Sequence, residues 1–386
     1  MRYLILGGGL QGRALAFDLL TYDPGCEVIV GDNHEENLEL THRLIKDKNL
    51  RTVKVDVFDE EATARVMEVI DVAISSLPHT WPFTEKFYQG VVKAGVKGVL
   101  TDYWEWPRHY EFDDPLKKAK TAVIPGLGIV PGFGNICVGQ AAHEFDQLEE
   151  GAIYCGGLPV RKNLPPLNYM EMFIMESLFD LYYTNPQIIM DGEVVTLKCV
   201  EDIEKIYIPG VGETEAIYTD GLYSLLKTMK EKGVRKLTEK TLRYPGHYEK
   251  VEILRSIGFL DKEPLKVGEI EVSPRKFTEA LFSRKLKKIP GERDFTYLLV
   301  RVKGIKDGKR VEKKWEIMDY SDEVNGLTSM ERTTAYPSSI AAIILAHDKT
   351  ELYGIVEPEL YFIGDKFKKM VDELALRGIY VYESLL

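Results

Sequence analysis

Residues 3–12 read Y-L-I-L-G-G-G-L-Q-G, a short apolar run that breaks into glycines and then opens a helical pattern over Arg13 to Leu20. Gly7, Gly9 and Gly12 fill a G-x-G-x-x-G template in the one context where it has physical meaning, after a strand and before a helix. The first glycine permits the tight turn and the second lets a pyrophosphate approach the backbone. The third lets helix and strand pack closely, and the helix N-terminus adds free N–H groups and partial positive charge. Leu10 and Gln11 lie in the same turn and join the three glycines as cofactor-binding candidates.

Asp32 ends the next apolar run, twenty residues past Gly12. An acidic residue there bonds the ribose hydroxyls of a dinucleotide and repels a 2′-phosphate. The following Asn33, His34, Glu35 and Glu36 offer no cation to hold one, so the expected cofactor is NAD. Further apolar runs at Val53–Val55, Val72–Ile74, Val99–Leu100 and Ala122–Ile124 alternate with amphipathic stretches such as Glu35–Lys46 and Phe83–Ala94. This alternation predicts an α/β fold, a doubly wound parallel sheet of Rossmann type. Ligands bind outside the carboxyl ends of such strands. Asp56, after the third run, is placed by the adenine, and Ser76, Leu77, Pro78 and His79, after the fourth, by the nicotinamide ribose. The glycine- and proline-rich stretch 125–135 is either a hinge or a wall of the nicotinamide pocket, with Pro131 and Asn135 as its candidates.

Beyond about residue 125 the pattern becomes that of an α+β domain with a mixed or antiparallel sheet. Strand-like runs appear at Gly151–Cys155, Gly268–Val272, Thr296–Val302 and Lys314–Ile317, with a D-G hairpin signal at Asp307-Gly308. Helical patterns follow at Ser338–His347 and Lys366–Leu376, then a strand-like Tyr380–Tyr382.

Composition narrows the function. The formal net charge of −11 argues against nucleic acid or an anionic membrane as partner. No secretory leader and no apolar run long enough to span a membrane is found, which places the chain in the cytoplasm. The four cysteines and seven histidines lack ligand spacing, so free thiols and no metal are expected. Lys and Glu dominate the charged residues, a balance common in heat-adapted proteins.

Several strings then place the sequence. G-L-G-I-V-P-G-F-G-N (126–135), C-G-G-L-P (155–159), E-A-I-Y-T-D-G-L (215–222), T-L-R-Y-P-G-H-Y-E-K (241–250) and S-M-E-R-T-T-A-Y-P (329–337) join the glycine turn. Over essentially its whole length the chain resembles the saccharopine dehydrogenase family in its short form. The resemblance implies a Rossmann domain at 1–128, an α+β substrate-binding and dimerisation domain at 129–335, and C-terminal helices at 336–386 that return to the Rossmann core. It also implies a homodimer or higher oligomer and an amino-acid substrate. The members it is most similar to oxidise the ε-amine of L-lysine to the 6-semialdehyde, which cyclises. The alternatives are reductive condensation of an amino acid or amine with an aldehyde, as in other members, and a non-catalytic NAD-binding protein. Lys162-Asn163-Leu164, Phe173-Ile174-Met175 and Thr101-Asp102-Tyr103-Trp104 depart from the family pattern close to the expected pocket.

Amine oxidation needs an uncharged amine, a hydride acceptor and a base. A substrate carboxylate is best met by a bidentate arginine. Arg243 and Arg332 are the candidates for that role, each otherwise a structural ion pair. His247 is a base, an orienting group or a histidine satisfied by a turn carbonyl, and His79 is a second catalytic candidate. Asp220, Glu171 and Glu176 are placed to receive an amino group. Thr333 and Thr334 either bond the substrate or cap the helix beginning near Ser338.

Overall fold

The computed structural model describes residues 1–289 and 291–386. The chain forms two units: Met1–Glu144 with Glu331–Val381, and Phe145–Met330 with Tyr382–Leu386.

The first unit is the expected doubly wound fold. Strands β1 (Arg2–Leu6), β2 (Glu27–Asp32), β3 (Leu50–Lys54), β4 (Val72–Ser75), β5 (Lys97–Leu100) and β6 (Ala122–Ile124) form a wholly parallel sheet. Its order is β3-β2-β1-β4-β5-β6, extended past β6 by Gly354–Ile355. Strands β4 and β6 are buried along their whole length, as a sheet covered on both faces requires. Strand order reverses between β1 and β4, so the crevice for a ligand opens where Gly7 and Ser76 leave their strands. Helix α1 (Leu10–Tyr22) turns Gly12, Ala14, Leu15, Ala16 and Leu19 to the core. Asp18 lies on the same buried face, where it accepts from Arg377 Nε at 2.7 Å, both side chains fully enclosed. Residue 377 is thereby tied to the first helix of the chain.

The first junction comes later than residue 128 because helix Phe133–Glu144 belongs to the first unit. It packs so closely on Pro358–Tyr361 that a Cβ on Gly139 would stand 2.0 Å from the Glu359 carbonyl oxygen. The second junction falls at residue 330 rather than 335 because the expected helix at Ser338 in fact starts at Ser329. Pro337, a residue type that commonly marks a helix boundary, is carried inside this helix.

The second unit is built on a nine-stranded mixed sheet. Its strands include β7 (Gln147–Pro159), β8 (Gln187–Met190), β9 (Glu193–Thr196), β10 (Glu204–Ile208), β11 (Gly212–Tyr218) and β12 (Lys236–Arg243). The long hairpin Asp294–Lys306 and Lys309–Tyr320 and the strand Tyr382–Leu385 complete it. Only β7 and β12 pair in parallel; every other neighbour is antiparallel. The hairpin turns at Asp307 and Gly308 with φ of 52° and 72°, the geometry that the D-G signal predicts. One apolar cluster joins Leu178, Phe179, Tyr182, Tyr248 and Val251 from the helices to Ile217 of β11. A separate cluster holds Tyr154, Leu158, Ala216, Leu242, Phe295 and Tyr297.

Candidate functional site

The glycine turn of the first unit separates into two structural positions and one open position. A Cβ on Gly7, which has φ of +100°, would stand 2.3 Å from the Ser76 carbonyl oxygen. One on Gly12 would stand 1.8 Å from the Gly7 carbonyl oxygen. Around Gly9 nothing lies within 4 Å of that point. Gly9 precedes the first turn of α1, whose N–H groups have no partner within the helix. Leu10 is half exposed in this turn, and the buried Gln11 Oε1 accepts no hydrogen bond. An open backbone at a helix N-terminus with free donors fits the pyrophosphate of a dinucleotide.

Asp32 is tightly held. Its Oδ2 accepts from Gly8 N at 2.7 Å and Asn37 Nδ2 at 3.1 Å, and its Oδ1 accepts from His34 N at 2.7 Å. The carboxylate therefore braces the glycine turn at the end of β2. Asp56 is exposed past β3, its Oδ1 accepting from Phe58 N. Ser76 and Leu77 are half-buried and Pro78 exposed on the loop after β4, where Ser76 N donates to Leu6 O. His79 rests edge-on against Trp104, ring centroids 5.5 Å apart. Asp102 lies close enough to interact with it electrostatically, its own carboxyl pushed up by burial.

The stretch 126–135 spends its glycines on itself. Gly128 N donates to Pro131 O, and a Cβ on Gly132 would stand 1.9 Å from the Gly128 carbonyl oxygen. Asn135, expected at the cofactor, is buried, with its Oδ1 accepting from Gly132 N at 3.1 Å. The side chain thereby satisfies an amide of the turn.

In the second unit the polar candidates converge on β12. Glu239, Thr241 and Arg243 alternate onto one face, all at least nine-tenths buried. Arg243 Nη1 donates to Leu242 O at 2.8 Å and Nε donates to Tyr182 Oη at 3.3 Å, with the Tyr169 ring beneath the guanidinium. Among the described residues no carboxylate forms an ion pair with it. His247 is wholly buried with both nitrogens engaged, on Leu167 O and the Tyr182 hydroxyl, each at 2.8 Å. Burial, with the nearby Arg243 charge, pulls its pKa down to about 3. His247 is therefore a neutral ring, hydrogen-bonded to the Tyr182 hydroxyl and the Leu167 carbonyl. Asp220, after β11, is pushed up to about 6 by burial.

Five further candidates, Glu171, Glu176, Arg332, Thr333 and Thr334, have varied surroundings. Glu176 points its side chain to solvent, and only its carbonyl is used, accepting from Arg275. Arg332 Nη2 donates to the carbonyl of Arg377, joining two helices of the first unit. Thr333 and Thr334 sit inside the helix that starts at Ser329, so neither caps a helix at 338. Glu171, half-buried, lies on the loop before helix Met175–Asp180, and its N–H donates to Leu286 O.

Glu239 was missed, along with Thr219, Tyr169 and Tyr182. Lys236–Arg243 reads K-L-T-E-K-T-L-R, without the apolar alternation that reveals a strand. The available signal was opposite charges four residues apart beside T-L-R-Y, a spacing that shares one face in a helix and in a strand alike and so did not by itself mark a strand.

The family described as saccharopine dehydrogenase C-terminal domain matches residues 128–379. The saccharopine dehydrogenase [NADP(+), L-glutamate-forming] of Saccharomyces cerevisiae is 26% identical over 290 residues, 72% of this chain and 62% of that protein. Its namesake from Pyricularia oryzae is 26% identical over 272 residues, 67% of this chain and 58% of that one. The chain thus spans about six tenths of the length of these curated relatives. The apo structure of the L-Glu-forming saccharopine dehydrogenase from S. cerevisiae superposes with a TM-score of 0.81 at 20% identity, covering 100% of this chain and 99% of that one. It shares the α/β fold with a second, mixed-sheet unit. Among the described residues no helix is long and apolar enough to cross a membrane.

Proposed function

The chain belongs to the saccharopine dehydrogenase family, and from that premise we propose that it is an NAD-dependent oxidoreductase that oxidises the ε-amine of L-lysine to the 6-semialdehyde. The observation that carries this reading is Arg243, a buried guanidinium without a carboxylate partner among the described residues. A buried charge is normally paired within the protein, so a free one suits a ligand's carboxylate, which an arginine fork grips well. The open backbone at Gly9 and the free donors of α1 supply the other requirement, a place for a dinucleotide.

In the oxidation, the ε-ammonium first gives up a proton, which costs free energy because its ordinary pKa is about 10.4. The Cε–H bond then breaks as a hydride while the nitrogen lone pair forms C=N. A nicotinamide dinucleotide bound at the glycine turn would supply the hydride acceptor. Water adds to the imine carbon, and ammonia leaves to give the aldehyde, on which the α-amine closes a ring with loss of water. His79 beside Asp102, and Asp220, remain the groups with the chemistry to take protons.

The names of the relatives carry NADP(+) and L-glutamate-forming. They support a second reading, reductive condensation of an amino acid with an aldehyde. For the cofactor, Asp32 and the cation-free stretch Asn33 to Asn37 support NAD. Absorbance at 340 nm with L-lysine, run with NAD, with NADP and beside other amino acids, tests the proposal. Lysine-dependent NADH formation is expected. Silence with every single amino acid, and turnover only with NADH, an amino acid and an aldehyde together, would replace it by the second reading.

Asp32→Ala is expected to weaken NAD about tenfold, near the loss of a charge-assisted hydrogen bond, and to narrow the preference over NADP. Titration of the two cofactors by protein fluorescence checks this, and an unchanged ratio removes Asp32 from the ribose. A homodimer or higher oligomer through the sheet of the second unit belongs to the same reading and is checked by light scattering.

A further inference from the structure

Arg243 has a group of opposite charge four residues back on its own strand. Glu239 and Arg243 share a face of β12, with Cα atoms about 13 Å apart at the rise of an extended strand. No ion pair joins them, although both are almost fully buried. Glu239 Oε2 accepts from Thr219 Oγ1 at 2.6 Å, and the structure gives its Oε1 no hydrogen bond among the described residues. The same threonine is 2.7 Å from the Thr241 hydroxyl, which lies between the two charges. Gly221 packs closely on this carboxyl: a Cβ there would stand 3.1 Å from Glu239 Cδ and Oε2. A buried guanidinium and a buried carboxyl on one face, with no ion pair between them, suit a molecule with charge at both ends.

We propose that Glu239, with Asp220 beside it, receives the cationic far end of the substrate whose carboxylate Arg243 holds, so that β12 selects amino acids carrying a distal amine. This rests on the oxidation reading and adds to it the residue that reads the side chain. A carboxylate and an ammonium on the same carbon are too close together to use both groups at this spacing, whereas the two ends of a diamino acid are separated by its carbon chain. Arg243 is the independent mark of a ligand: more than nine-tenths buried, it has no hydrogen bond on Nη2 among the described residues.

The device is coupled to protons. Glu239 faces Asp220 and Thr219 from the end of β11, Cys155 from β7, Tyr248 from helix His247–Ile257, and Thr241 and Arg243 from its own strand. Burial pushes it up to about 8 and Asp220 up to about 6. Below those values the ligand-free carboxyl groups are neutral acids; an arriving ammonium favours the carboxylate and expels a proton. Affinity for a distal ammonium therefore rises with pH from 6 to 8.

Calorimetric titration of the full chain with saturating NADH, which blocks turnover, tests this using L-lysine, L-ornithine and L-norleucine. The wild type should prefer the two diamino acids over norleucine by at least about tenfold at pH 8, the range for a hydrogen bond to a charged group. That preference should shrink toward pH 6. E239Q should remove both the preference and its pH dependence without weakening norleucine, and E239D should restore part of it. Unchanged NADH affinity and melting cooperativity show that the variants fold. A preference that survives in E239Q overturns the role of Glu239 and leaves lysine oxidation standing. A wild type that binds norleucine as tightly as lysine, or binds none of the three, overturns this inference and the lysine reading together.

Discussion

Gly12→Ala is expected to abolish dinucleotide binding and to destabilise the first unit, whereas Gly9→Ala should abolish binding alone. At position 12 the new Cβ would meet the Gly7 carbonyl oxygen at 1.8 Å, a backbone atom that no side-chain rotation can move. Helix α1 must then lift from the turn. Overpacking of this kind costs about 3 kcal/mol or more, which for a unit of this size lowers Tm by about 5–10 °C. At position 9 there is nothing within 4 Å, and φ of −67° suits alanine. The Gly9→Ala protein should melt within about 1 °C of the wild type, as a substitution that touches nothing does. Its methyl would nonetheless occupy the space assigned to the pyrophosphate, weakening NADH about a hundredfold or more, as steric exclusion at a built site does. Calorimetric melting and NADH fluorescence on the two variants separate these effects. Undiminished NADH affinity in Gly9→Ala would move the cofactor away from this turn.

Arg243→Met is expected to lower kcat/KM for L-lysine about a thousandfold, the loss on removing one partner of a buried, hydrogen-bonded charge pair. The loss should fall mainly on KM, because the carboxylate is held equally in ground and transition states. Arg243→Lys should fall between, since an ammonium cannot reproduce the fork. The free enzyme should respond in the opposite sense. A buried guanidinium with no carboxylate partner among the described residues carries a desolvation cost that an apolar residue of similar volume avoids. Arg243→Met should therefore raise Tm while destroying substrate affinity, a sign of binding capacity held at the expense of stability. A lower Tm with unchanged KM would make Arg243 an ordinary structural residue.

The first unit was legible because its determinants are local. Gly7, Gly9, Gly12 and Asp32 lie within 26 residues, and the runs that become β1 to β6 carry the apolar pattern of a sheet buried on both faces. The second unit was harder to read because its sheet mixes distant segments. Strand β12 pairs with β7, some eighty residues earlier, and its polar face is matched by Thr219 and Tyr182 rather than by anything visible in its own sequence. Motif strings found Arg243 and His247 together but not their roles. Only the ring contacts show His247 sealed between Leu167 and Tyr182. Arg332 misled because its motif is specific, while its partner, the Arg377 carbonyl, lies 45 residues away.

The first unit is discontinuous, closed by residues 331–381 and by the pairing of Asp18 with Arg377. During synthesis this has a direct consequence. The first 144 residues emerge with the outer edge of β6 unpaired and the Asp18 carboxylate without its cation, and they wait while the whole second unit is made. The second unit has nearly all of its strands once residue 330 has left the ribosome. Nascent chains halted near residue 330 should accordingly hold a protease-resistant second unit and an open, chaperone-accessible nucleotide unit. Competence to bind a dinucleotide would then arrive late and all at once, when Gly354–Ile355 zips onto β6 and Arg377 reaches Asp18.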